Sequence, residues 1–418
     1  MRERSFSRPG QPCPAPDATA SFPATLALLF AVTAGLAVGN AYAAQPLLDA
    51  IAAAFDLSPG LAGAVVTATQ AGLALGLVLV VPLGDLLSRR RLVPAQLLVG
   101  AAALSLMAVA DSAPLLLAAV AVVGASSVVA QVLVAYAAAL ASDADRGRAV
   151  GLVTSGVISG ILLSRVVAGA IADVGGWRAV FALSAAATLL LAALLARRLP
   201  PERSAPAPAV SPATAAPPSP RRYLALVGST FVLIGRMPLL RVRGALALLT
   251  FAAFSTLWAP LALPLGAEPH GLSHGQIGLF GLAGLAGALA AARAGRLADR
   301  GRGETTTGAA LALLLVSWLP ISALDRSLAT LAVGVVLLDL AVQAVHVTNQ
   351  TLLLAAAGAA RSRVTAAYML FYSLGSAAGA IAATSVYAAW GWGAVCLQGA
   401  ALTAAALAVW AVTAPRRR

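Results

Sequence analysis

Gly295-Arg-Leu-Ala-Asp299-Arg-Gly-Arg-Gly303 is the stretch on which the fold of this chain turns. It lies between two apolar runs. An earlier stretch in the same setting, Gly84-Asp85-Leu-Leu-Ser-Arg-Arg-Arg91, is its counterpart. The two aspartates are 214 residues apart (299 − 85). Arg146-Gly-Arg148 and Arg361-Ser-Arg363 are separated by 215 (361 − 146), and Gly176-Trp177 and Gly391-Trp392 also by 215 (392 − 177). Three pairs at nearly one offset imply two homologous halves.

The runs around these pairs are long enough to cross a membrane. A hydrocarbon core of about 30 Å needs about twenty helical residues. Runs of that kind occupy 24–44, 61–83, 92–110, 114–141, 149–172, 178–196, 245–265, 277–294, 305–324, 328–357, 364–387 and 394–414. The expected fold is an all-α membrane protein of twelve transmembrane helices in two pseudo-symmetric six-helix bundles. The bundles span 24–198 and 245–415. A disordered cytoplasmic tail (1–23) precedes them, and a cytoplasmic linker (199–244) joins them. The linker opens with a Pro/Ala/Ser-rich stretch, 199–222, and closes with a surface-lying amphipathic helix over 223–244. Parallel repeats of this kind are a transporter architecture, with the site between the halves near the midplane.

Composition agrees. Sixty per cent of the 418 residues are hydrophobic and 10% are charged, whereas about a quarter are charged in a soluble domain. The chain ending Asn40-Ala-Tyr-Ala-Ala44 imitates a signal-peptidase site, but the preceding run is long for a signal peptide and many spans follow. All 28 basic residues are Arg. With the N-terminus inside, nearly all of them fall in inner loops, and the outer loops hold only Arg178 and Arg326. This asymmetry places both termini in the cytoplasm. It also assigns the net charge of +13 to anionic lipid headgroups rather than to nucleic acid.

Gly295-Arg-Leu-Ala-Asp299-Arg-Gly-Arg resembles, in compressed form, the cytoplasmic loop motif Gly-x-x-x-Asp-Arg-x-Gly-Arg of the major facilitator superfamily. The first-half copy departs from it at Val81, Leu86 and Ser88. Gln45-Pro-Leu-Leu48, Gly176-Trp-Arg-Ala-Val-Phe181, Leu338-Asp-Leu340 and His346-Val-Thr-Asn-Gln350 are similar to a bacterial branch usually described as drug or metabolite efflux proteins. The resemblance implies a secondary transporter of the bacterial inner membrane. It also implies an inner clamp. Asp85 would meet Arg361 or Arg363, Asp299 would meet Arg146 or Arg148, and Arg89 and Arg300 would lie alongside.

Ionisable residues inside a span cost at least ~2.5 kcal/mol and are functional candidates by default. Here they are Arg165 in the fifth span and Asp339 and His346 in the tenth. Asp339, Gln343, His346 and Gln350 follow i, i+4, i+7, i+11 spacing on one helical face, with Asn349 beside them. A polar stripe in a lipid-length helix should face protein or water. Asp339 and His346 are the proton-coupling candidates. Arg165 is placed to pair with Asp339 or to bind a substrate anion. Asn40, Tyr42, Gln70, Gln131, Tyr136, Trp258, Tyr368 and Tyr372 are candidates for the rest of the cavity, against the plainer reading of helix packing. The leading expectation is proton-coupled efflux of a small organic molecule by a monomer. The alternatives are uptake of a small solute or organic acid, and a non-transporting sensor or scaffold.

Other chemistry finds little support. There is no Walker A sequence. No cofactor or metal is expected: cysteines are Cys13 and Cys396 alone, and His270 and His274 share an outer loop without an evident third ligand, which reads as a surface pair. Gly271-Leu-Ser273-His-Gly275 has the form of a nucleophile elbow but not its strand-to-helix setting, so an enzyme is not expected. Ser273 with Gln276 reads instead as a capping box.

Overall fold

Backbone groups in lipid must be satisfied within their own segment, which leaves a helix as the form for these apolar runs. The computed structural model describes residues 23–142, 145–199 and 220–414. Residues 1–22 of the expected tail and 200–219 of the expected linker lie outside the described residues. Nine helical runs among the described residues are long and apolar enough to cross a membrane. Two of them, Arg146–Arg198 and Arg361–Thr413, are double-length and broken by Gly176 (φ 74°) and Gly391 (φ 73°). Glycine takes this left-handed backbone without a Cβ penalty, so each break turns one span into the next. His274–Leu279, Phe280–Ala283 and Gly284–Leu297 stack into a further run, the eighth span. The arrangement is consistent with twelve spans.

The repeat is visible in the packing. Gly35 and Gly39 bring the first span against Gly156 and Gly160 of the fifth, and a Cβ on Gly160 would overlap the Gly35 backbone. In the second half Gly375 and Gly379 lie against the backbones of Leu248 and Ala252 in the same way. Gly160 and Gly375 are 215 residues apart, the interval of the Gly-Trp pairs.

Three boundaries differ from expectation. The helix expected at the membrane surface runs Pro220–Arg236, and the seventh spanning helix begins at Pro238 rather than 245. Proline suits a helix's first turn, whose N–H would be unpaired anyway. Arg243 consequently sits inside the spanning helix, 2% exposed, not in a cytoplasmic segment. The fourth run is interrupted between Ala113–Ser126 and Val129–Leu140, where the Ser127 hydroxyl donates to the Gly124 carbonyl at 2.6 Å. The first span is followed by two short helices, Gln45–Leu47 and Leu48–Ala54.

The halves meet along two seams. In one, the second span packs on the eleventh: Thr67 donates to the Ala377 carbonyl at 2.9 Å and Thr384 to the Gly60 carbonyl at 2.9 Å. In the other, the outer half of the fifth span packs on the eighth. There Gly169 abuts the His274 backbone and Gly278 abuts that of Arg165.

Candidate central site and outer latch

Both seams frame a central layer built around Arg165, 2% exposed, and Asp339, 4% exposed. The two do not form a direct ion pair. Trp258 of the seventh span stands between them. Its indole N–H donates to Asp339 Oδ1 at 3.2 Å, and its ring centroid lies 3.9 Å from Arg165 Cζ. The Tyr42 ring is 5.4 Å from the same carbon. Gln45 closes the guanidinium from the other side, its Oε1 accepting from Nε at 2.9 Å and Nη2 at 2.7 Å. Tyr42 and Tyr372 share a short hydroxyl–hydroxyl bond between the halves. A cation, an aromatic face and a carboxylate are thus layered where the halves touch.

The tenth-span stripe divides. His346 Nδ1 is 3.1 Å from the Tyr368 hydroxyl, and the imidazole meets Phe251 edge-on at 5.1 Å. Gln343 is half-buried. Gln350 lies 3.9 Å from Met369 Sδ. Asn349 turns away from the stripe and accepts from Arg243 Nη1 at 3.3 Å. That arginine also bonds Thr307 at 3.3 Å and pairs with Glu304. This cluster ties the seventh, ninth and tenth spans together within one half.

Other cavity candidates from the first half sit elsewhere. Asn40 donates to Thr188 at 3.4 Å. It also lines a groove of about 500 Å³ along the first and fifth spans, away from the central layer. Tyr136 is buried with its ring 5.6 Å from Phe30. Gln131 is half-buried on the same short helix. Gln45, which the sequence offered only as part of a family-like stretch, takes the place expected of them.

The face expected to lie outside holds a cluster that the sequence did not single out. His274 Nε2 is 3.3 Å from Asp49 Oδ1, and its Nδ1 is 3.6 Å from Asp173 Oδ1. Ser273 Oγ and the Gly275 N–H donate to Asp173 Oδ2 at 2.8 and 3.0 Å. Asp49 and Asp173 belong to the first half, and 273–275 to the second. The bond to Asp49 raises the His274 pKa above its ordinary value, against the opposing effect of burial. Burial pushes the Asp173 pKa up, but the Ser273 and Gly275 bonds and His274 outweigh it and hold the carboxyl below its ordinary value. The capping box of Ser273 and Gln276 forms as their spacing predicts.

The expected inner clamp is described only in part. Asp299, Arg300, Arg148, Arg361 and Arg363 are exposed. Among the described residues no ion pair involves Asp299. Arg89 and Arg146 donate to the carbonyls of Ala135 at 3.5 Å and Ala138 at 3.1 Å. The Asp85 side chain lies outside the described set.

A sequence profile described as Major Facilitator Superfamily matches residues 29–304 and 244–418. The chain is 44% identical over 385 residues to an uncharacterized transporter, YgaY, of Escherichia coli O157:H7, covering 92% of this chain and 94% of that one. It is 35% identical over 378 residues to a probable transporter, SCO4007, of Streptomyces coelicolor, covering 89% and 82%. Its fold superposes, with a TM-score of 0.75 and 14% identity, on a bacterial homologue of the human lysosomal transporter Spinster, solved in an inward-facing and occupied conformation; 93% of this chain and 96% of that one are covered. The duplicated loop motif, the twin glycine breaks and these matches agree: the chain is a multi-pass membrane transporter and belongs to the Major Facilitator Superfamily.

Proposed function

We propose that the chain is a proton-coupled secondary transporter that moves a small organic molecule by alternating access, with Asp339 as the proton site. The observation that carries this reading is the Asp339 carboxylate, buried in a spanning helix and reached by Trp258 at 3.2 Å. A carboxylate ionised when the cavity opens to water and neutral when it closes carries one proton per cycle. Charge inside a span is too costly to keep without such a use or a fixed partner. His346 is the second titratable group on the path, and Tyr368 orients its ring.

Alternation follows from the seams. The outer latch of Asp49, His274 and Asp173 holds the outer side closed. Closure of the inner side brings Asp85 towards Arg361 or Arg363 and Asp299 towards Arg146 or Arg148. The protein works as a monomer in the bacterial inner membrane with both termini in the cytoplasm; the arginine asymmetry supports that placement of the termini. Resemblance to efflux proteins points to export. Arg165, a buried cation without a carboxylate in direct contact among the described residues, favours a second reading: uptake of an organic acid with its proton.

Asp339→Asn is the test. In proteoliposomes of opposite orientations, the variant should lose proton-driven transport while retaining fold, insertion and substrate exchange at equilibrium. Substrate-dependent proton movement at the normal rate in that variant would refute the assignment.

A further inference from the structure

Arg165 carries a full charge, yet the group seated in its fork is neutral. Nε and Nη2 both donate to the single amide oxygen of Gln45. The parallel N–H groups of a guanidinium fit the two oxygens of a carboxylate, and the charged pairing is roughly twice as strong as a neutral one. Described ion pairs include Arg243 with Glu304 and His274 with Asp49 and Asp173. Arg165 belongs to none of them, and an indole separates it from Asp339.

The surroundings of this fork are aromatic. Phe251, Phe254 and Trp258 lie at i, i+3 and i+7 on one face of the seventh span. Their ring centroids are 6.0 and 6.2 Å apart in succession. Tyr372 packs against Phe251 at 3.9 Å between centroids. The row starts beneath the guanidinium and runs towards the inner end of the helix. Phe251 and Trp258 are buried, so a ligand ring must part the row from its neighbours to reach flat apolar faces, which stack with other rings in offset or edge-on geometry.

We propose that the central site binds organic carboxylates with a planar aromatic body. The carboxylate displaces the Gln45 amide from the Arg165 fork, and the ring lies along Trp258, Phe254 and Phe251. The proposal rests on this layer being the transport site and not on Asp339 carrying the proton. A cationic ligand would meet Arg165 at the head of the row. A dicarboxylate would set its second charge among the rings, where no described cation receives it. Gln45 is then a stand-in that satisfies the fork while the site is empty.

The test uses the purified full-length protein in lipid nanodiscs, read by tryptophan fluorescence and by thermal shift. The probes are benzoate, phenylacetate and naphthoate, with benzamide, benzylamine, acetate and terephthalate as controls. At least one aromatic monocarboxylate should bind saturably, and at least tenfold more tightly than each control. Arg165→Lys should weaken that binding at least tenfold. Gln45→Leu, which removes the competing oxygen, should preserve or strengthen it. Proton movement is measured separately in Asp339→Asn, so failure of the proton assignment shows there and failure of anion recognition shows in Arg165→Lys. Equal affinity for benzoate and benzamide, unchanged affinity in Arg165→Lys, weaker carboxylate binding in Gln45→Leu, or no saturable binding by any aromatic carboxylate would each overturn the proposal.

Discussion

Trp258 donates its indole N–H to Asp339 across 3.2 Å while its ring underlies the Arg165 guanidinium. One side chain therefore positions both buried charges. Trp258→Phe keeps a ring but removes the donor. A hydrogen bond to a charged group contributes about 1.5–3 kcal/mol, so kcat/KM should fall roughly 10- to 100-fold at normal membrane abundance. Trp258→Ala, which also removes the stacking, should fall further. Wild-type kinetics in Trp258→Phe would show that the indole does not hold Asp339 during turnover.

The outer latch should respond to pH with a definite sign. The His274 value is raised, so its contribution to closure is complete below the ordinary imidazole value of about 6.5 and is lost as pH rises through the elevated value. The Asp173 value is lowered, so its contribution is complete above the ordinary carboxyl value of about 3.9 and is lost as pH falls through the lowered value. Closure is therefore strongest between the two. Spin labels at exposed Val174 and Glu268 should report a larger open fraction at alkaline than at neutral pH. His274→Gln should flatten that dependence. Identical distance distributions across the range would remove the latch.

The glycine seams should tolerate no side chain. Gly160→Val forces a Cβ into the Gly35 backbone, and Gly375→Val does the same against Leu248. Overpacking costs typically about 1–3 kcal/mol, so both variants should melt earlier than wild type by similar amounts. A large drop in one and none in the other would contradict equivalent packing in the two halves.

Arg243 and Glu304 should differ as mutational targets. Arg243 is buried, with its side chain 3% exposed, whereas that of Glu304 is 37% exposed. Glu304→Leu leaves a buried cation with only neutral partners, a loss on the order of 3 kcal/mol. Arg243→Leu leaves a carboxylate that can turn to water. Thermal melts should rank Glu304→Leu as the less stable variant, and the reverse order would place the ion pair's cost elsewhere.

The inner clamp is a two-state prediction. Single surface pairs stabilise by about 0–1 kcal/mol, which is enough to bias states a few kcal/mol apart. Asp85→Asn should raise the inward-open population severalfold and slow turnover more than it weakens binding. Unchanged inner-rim distances and turnover would exclude Asp85 from the gate.

What sequence could reveal depended on how far apart the partners lie. The fold was legible because duplication repeats its landmarks at one interval, and Asp339 because a carboxylate stands out in an apolar run. His274 read as a plain surface residue because its partners are in the other half of the chain. Arg243 falls within the cytoplasmic linker expected over 199–244. Pro238, a helix-opening residue, was the overlooked signal that the span had already begun. Gln45 carried no charge to draw attention, and its role appears only when Arg165 reaches it.

The left-handed glycines have a consequence for the history of the molecule. Gly176 and Gly391 reverse the backbone at equivalent places in both halves, so the hairpin predates the gene duplication that joined them. The charges do not share that inheritance. At the same interval of 215, Arg165 corresponds to Ala380 and Asp339 to Gly124. A homodimer of either half would rebuild the symmetric shell yet hold only one member of the Arg165–Asp339 couple. The ancestral six-helix unit supplied the moving frame, and chemistry specific to the cargo arose only after the two copies were free to diverge.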